Sequence, residues 1–148
     1  MATTVTAANL TVTITEQYSL NNVAYGNTIN KTFTTNGEIY QRIMAVKQSE
    51  VTSLIDFGAA DGRGTVDKSN YTYFRITNLD DTNFLTLTVT SGDTFFYKLK
   101  AGESLLLMDN EMDAVASSTT FGAFADITNI SAQANTDGVD IELMCVTV

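Results

Sequence analysis

The sequence predicts an all-β protein, a single antiparallel β-sandwich or jelly-roll-like domain spanning residues 1–148. Three observations carry that expectation. Threonine alternates with aliphatic residues at period two along much of the chain. The extended runs are short and separated by Asn-, Asp- and Gly-rich punctuation, and no long stretch sustains a helical period. A chain of 148 residues suits one hydrophobic core, and no internal repeat of 20–50 residues points to a solenoid or propeller.

Residues 1–8 are expected as an extended N-terminal arm. Over residues 10–15, Leu10, Val12 and Ile14 alternate with Thr11, Thr13 and Thr15, the pattern of a half-buried strand. Asn21, Asn22, Gly26 and Asn27 punctuate the next region, and residues 28–35 extend again. Asn36-Gly37 has the chemistry of a tight hairpin turn and is expected to join that strand to one beginning near Glu38. Residues 39–55 are ambiguous, since Ile39, Ile43, Val46 and Glu50 approximate a helical spacing. The β-branched content favours two short strands broken near Gln48-Ser49. Residues 58–69 collect Gly58, Gly62, Gly64, Asp61 and Asp67, a surface loop.

Residues 71–77, 84–90, 94–99 and 104–108 read as four strands of an antiparallel meander. Leu85, Leu87 and Val89 are expected to face the core, as are Phe95, Tyr97 and Leu99, which leaves Phe96 pointing outward. Residues 109–120 form an acidic and then small-residue loop with room for one helical turn, and 123–134 return to extended structure. Turn chemistry at Asn135-Thr136-Asp137-Gly138 then introduces a last strand, with Val139, Ile141, Leu143 and Cys145 on one face.

Composition narrows the function. A formal charge of −9 opposes attraction to phosphate backbones and anionic membranes, so neither nucleic acid nor membrane is an expected partner. No run approaches the roughly 18 apolar residues of a membrane span, and the N-terminus lacks the basic and apolar segments of a leader. One cysteine excludes an intrachain disulfide, which permits assembly in a reducing cytosol. Four Asn-x-Ser/Thr triplets, at Asn9, Asn30, Asn70 and Asn129, are what a Thr- and Asn-rich chain produces by chance.

Catalytic constellations are sought with little return. Without histidine, a Ser-His-Asp or Cys-His arrangement and imidazole zinc sites are excluded. Cys145 lies on the inward face of the last strand and reads as a small buried hydrophobe. Residues 58–64 lack the Gly-Lys-Ser/Thr ending of a phosphate loop. Asp109, Glu111 and Asp113 are weak candidates for a metal, as is the oxygen-rich turn at Asp80, Asp81 and Asn83. Neither matches the twelve-residue calcium loop, so a solvated acidic loop is the simpler reading. The chain is therefore expected to be no enzyme and to need no cofactor.

Aromatic residues remain. Large rings occupy both strand faces at Tyr73/Phe74 and Phe95/Phe96, and these four are the candidates for a protein interface. With no proline to blunt its edges, pairing with another subunit is one way to protect them.

The run Tyr73-Phe74-Arg75-Ile76-Thr77-Asn78-Leu79-Asp80-Asp81-Thr82-Asn83-Phe84 continues into Leu85-Thr86-Leu87-Thr88-Val89. With Phe96-Tyr97-Lys98-Leu99-Lys100-Ala101-Gly102-Glu103-Ser104, Phe121-Gly122-Ala123-Phe124-Ala125-Asp126-Ile127 and Val139-Asp140-Ile141-Glu142, it resembles small structural proteins of tailed bacteriophages, particularly of marine hosts. The resemblance spans about residues 70–148. It implies residence in the virion, assembled in the host cytoplasm. Within that family the expected role is a capsid decoration or cement protein, a homotrimer whose other partner is the major capsid protein. The alternatives are a tail, baseplate or head-to-tail connector subunit and, from another class, a carbohydrate-binding jelly-roll module or a small β-fold hydrolase.

Overall fold

The computed structural model describes residues 6–35, 37–59, 64–113 and 124–148, and among them no helix occurs. The strands are β1 (Ala8–Leu20), β2 (Val23–Thr35), β3 (Ile39–Val46), β4 (Thr52–Gly58), β5 (Val66–Asp67), β6 (Tyr71–Asn78) and β7 (Leu85–Ser91). They continue with β8 (Asp93–Leu99), β9 (Ser104–Leu107), β10 (Glu111–Met112), β11 (Ala125–Asp126), β12 (Asn129–Ala134) and β13 (Val139–Thr147). Two sheets form the body, one ordered β3-β13-β6-β9 and the other β5-β4-β12-β7-β8. One core cluster draws on both, with Phe74, Ile76, Ile141 and Leu143 from the first and Leu85, Leu87, Val89 and Ile130 from the second. That is a β-sandwich, and alternation along each strand supplies its inner face.

The pairing is nested. β6 pairs with β9 in one sheet, while the intervening β7 and β8 pair with each other in the opposite sheet. β3 and β13 likewise enclose β4 and β12. The four strands from β6 to β9 are placed where the sequence puts them, but they do not form the expected meander. The segments 79–84 and 100–103 carry the chain from one sheet to the other. The same holds at residues 135–138, where turn chemistry joins β12 to β13 across the sandwich and makes no hairpin.

The expected hairpin between residues 28–35 and the strand beginning near Glu38 also does not form, and Asn36 itself lies outside the described residues. β2 pairs along its whole length with β1, and β3 pairs with β13. The tight turn lies instead at Asn21 and Asn22, whose φ angles of 51° and 62° give the two left-handed residues a two-residue hairpin of this type needs. The ambiguous stretch resolves into β3 and β4, with the break at residues 47–51. β4 carries a bulge opposite Ile130/Ser131, and both Leu54 and Ile55 are buried there. Within the expected loop at 58–69, Val66–Asp67 adds a short parallel strand beside β4. Residues 1–5 of the expected N-terminal arm and residues 114–123, with any helical turn there, lie outside the described residues.

Candidate interaction surface

β1 and β2 make a ribbon in continuous register from Ala8↔Thr35 to Leu20↔Val23. Thirteen residues per strand extend it about 43 Å. Its two faces differ in chemistry. On one, Thr11 meets Thr32 at 3.4 Å, the Thr13 hydroxyl donates to Asn30 at 2.8 Å, Thr15 meets Thr28 at 3.4 Å and Thr34 donates to Asn9 at 3.3 Å. These threonine ladders are the cross-strand pairs that hold a two-stranded sheet in register. The other face carries Leu10, Val12, Ile14, Tyr18 and Leu20 from β1 and Val23, Tyr25, Ile29 and Phe33 from β2. Tyr18 and Tyr25 stack there with ring centroids 5.2 Å apart.

Among the described residues, only the base of this apolar face is covered. Tyr73 and Val146 face each other across β6 and β13 on the side of their sheet away from the sandwich core, and neither joins the core cluster. Both are nonetheless buried, and the Phe33 ring lies 6.1 Å from that of Tyr73. Leu10, Val12 and Phe33 are half-buried at this seat. Beyond it, Ile14, Tyr18, Leu20, Val23, Tyr25 and Ile29 are 40–61% exposed. The expected half-buried strand at 10–15 is thus longer, runs to Leu20, and leaves Ile14 in solvent, because no second layer among the described residues reaches it.

The junction between ribbon and body is tight. Thr147 Oγ1 accepts the Glu38 backbone N–H at 2.6 Å, and Thr147 N donates to the Glu38 carbonyl at 3.0 Å. A Cβ on Gly37 would collide with that same hydroxyl and come within 3.1 Å of the Thr147 Cβ. Gly37 is therefore needed for close approach and shows no left-handed φ.

Of the four aromatic interface candidates, Phe74 is fully inside the core and Tyr73 is buried beneath the ribbon base, so neither faces solvent. Phe96 points outward and is 66% exposed. Phe95 has the core-side register opposite Val89 yet is 41% exposed, with its ring 6.4 Å from Tyr97. The reason is position: β8 is the edge strand of its sheet, with a neighbour, β7, on one side only.

Among the described residues no group of three or more potential ligands is arranged around a metal position. The Asp109 carboxylate accepts the Glu111 backbone N–H at 3.0 Å, and Glu111 enters β10. Asp80 accepts backbone N–H groups of Asn83 at 2.5 Å and Thr82 at 2.7 Å, which hold its carboxyl below the usual range. These acids close turns. Cys145 is buried, and desolvation pushes its thiol up to about 12, the inert state expected of a core residue.

Sequence reasoning missed Asn78, which is fully buried where β6 leaves its sheet. Its amide donates to the Asn83 carbonyl at 2.9 Å and the Leu99 carbonyl at 3.3 Å, and its oxygen accepts the Asp80 N–H at 2.9 Å. It also missed the outer ribbon as a surface, although the alternation at 18, 20, 23 and 25 was available to find it. A groove of roughly 580 Å³ opens between β3 and β4, lined by Tyr40, Arg42, Ser53 and Asp56 among others. Comparison with protein-family models, curated proteins and solved structures gave no match for this chain.

Proposed function

We propose that this chain is a virion structural protein, a capsid decoration or cement protein that binds the outside of an assembled phage head as a homotrimer, against the major capsid protein. The observation that carries the assembly reading is the projecting ribbon, whose outer apolar face no part of the described chain covers. A monomer seldom exposes so large a contiguous apolar surface without a partner for it. The placement on a phage head rests on the resemblance of residues 70–148, and the acidic chain, at −9, suits a surface that must not adhere to the genome.

The strand order accords with this reading. Numbering β3, β4, β6, β7, β8, β9, β12 and β13 from one to eight gives 1-8-3-6 in one sheet and 2-7-4-5 in the other, an order that supports a jelly-roll reading of the sandwich. Viral shell domains and lectins share that architecture, so the fold by itself does not choose between them. Binding only to the assembled shell would stabilise it by RT ln(1 + [L]/Kd) per site, and no chemical step is required. Copy number per particle, from quantitative densitometry of purified virions, tests the proposal. Hundreds of copies are expected; a count of about three to twelve indicates a tail, baseplate or connector ring instead. Melting that shifts with added glycan would assign a carbohydrate-binding module.

A further inference from the structure

We infer that the outer half of the ribbon is covered by the same face of a second copy of this chain, the two ribbons packing antiparallel about a two-fold axis. The inference rests on the reading of the ribbon as an assembly element and not on where the assembly resides.

Three observations select a second copy as the occupant. The first is charge. Residues 6–35 contain one acid, Glu16, and one base, Lys31, so the whole formal charge of −9 is carried elsewhere. Two copies of an acidic protein repel least where they are neutral. The second is area. Six side chains about half exposed, at roughly 200 Å² each, present on the order of 600 Å² per ribbon. Two such faces together approach about 1,200 Å², the lower bound of a stable specific interface. The third is the ribbon itself. A two-stranded sheet is marginal alone in water, and this one has nothing behind its outer half among the described residues.

The two-fold arrangement follows from Glu16. It shares the apolar face with Tyr18 and Ile14, opposite Asn27. If ribbons met in parallel, as around a three-fold axis, the Glu16 carboxylates would converge in one desolvated layer, which is costly. In an antiparallel overlap of about 20 Å, confined to the half beyond the seat on Tyr73, each Glu16/Asn27 pair meets the partner's Tyr18/Tyr25 pair. The tyrosine hydroxyls then donate to the carboxylate. Ile14 and Ile29 meet Leu20 and Val23 of the second copy. This contact ties copies in pairs and is distinct from any three-fold contact made by the bodies.

Sedimentation equilibrium of the full chain, with disulfide capture, tests it. Wild type is expected to associate, and Tyr18→Ser with Tyr25→Ser to raise the dissociation constant by about 30-fold or more. Val51→Ser in the β3–β4 turn of the body is expected to leave it unchanged. Slow labelling of the buried Cys145 thiol verifies that each variant has kept its folded body. Mixing Ile14→Cys chains with Leu20→Cys chains under mild oxidation is expected to give the mixed disulfide ahead of either symmetric one. A predominance of Ile14→Cys homodisulfides, or a wild type that stays monomeric at 100-fold the concentration of ordinary micromolar assembly, overturns the inference. So does a monomer whose ribbon variants lose binding to purified heads or to lipid vesicles, since the occupant is then another molecule. A chain that pairs through its ribbons but is absent from virions keeps this inference and removes the proposed function. A chain present in hundreds of copies per head whose ribbons do not pair does the reverse.

Discussion

Replacing Asn78 with alanine removes three hydrogen bonds at the point where the nested strand pairs are joined. The side chain holds the carbonyls of Asn83 and Leu99 and the Asp80 N–H, while its own backbone bonds Glu103 and Gly102, and Leu79 N–H reaches the Asp140 carbonyl. Four strand ends thus meet at one residue that is wholly buried. Each net hydrogen bond contributes about 1 kcal/mol, and stranding the buried Leu99 carbonyl costs about 1–3 kcal/mol beyond its own bond. The expected loss is about 4–6 kcal/mol. For a domain of this size that lowers the melting temperature by about 8–24 °C. Urea denaturation followed by circular dichroism measures it, and the slope against urea should not change, since the surface exposed on unfolding is the same. A loss under about 1 kcal/mol would refute the reasoning and show that the loops, and not this amide, fix the crossing between sheets.

Three further outcomes are expected. Gly37→Ala forces its Cβ against a Thr147 hydroxyl that cannot turn away without releasing Glu38, and should cost about 1–3 kcal/mol, read by the same urea titration. The Glu142 carboxyl is held below its ordinary 4.5 by the Arg75 guanidinium, 2.7 Å away, and by the Gln41 amide at 2.8 Å. A depressed carboxyl contributes stability above its unfolded pKa and loses it as pH falls through the folded one, so wild type and Glu142→Gln should differ at pH 6 and converge as the medium is acidified past 4.5; a difference that grows on acidification would contradict the pairing. Amide exchange should be fast at residues 14–29 in dilute protein and slow in concentrated protein, while β13 stays protected in both; strong protection of the ribbon tip at high dilution would contradict its lack of tertiary support.

Much of the fold was legible because period-two alternation is a local signal. It located β6 to β9 and β13, while β3 and β4 came from β-branched content over an ambiguous spacing, and it assigned Cys145 and its neighbours to the inner face. Sheet membership was not legible. Asn36-Gly37 and Asn135-Thr136-Asp137-Gly138 carry hairpin chemistry, yet both deliver the chain to a different sheet, because the partner of each strand is chosen by burial across the sandwich and not by the turn. The aromatic candidates divide for a related reason. Tyr73 alternates as an outward residue and would be an interface residue on a bare sheet, but the ribbon base, more than thirty residues earlier in the chain, lies over it. Nothing within the local window announces that cover.

The same limitation explains why the ribbon reads as a half-buried strand. A residue's alternation says which face is apolar and says nothing about what will lie against it; Leu10 and Ile14 have the same signature, and only distance from the body separates half-buried from exposed. What does distinguish the ribbon in the sequence is charge. Soluble β-proteins protect edge strands with lysine, proline or inward charge, and this ribbon has one lysine, near its base, and no proline. A strand pair with one lysine and one acid, on a chain whose remainder holds sixteen of its seventeen acids, carries few of those devices, which is the pattern the proposed pairing requires. Neutrality on an otherwise acidic chain is thus the sequence signal on which the proposed contact surface rests.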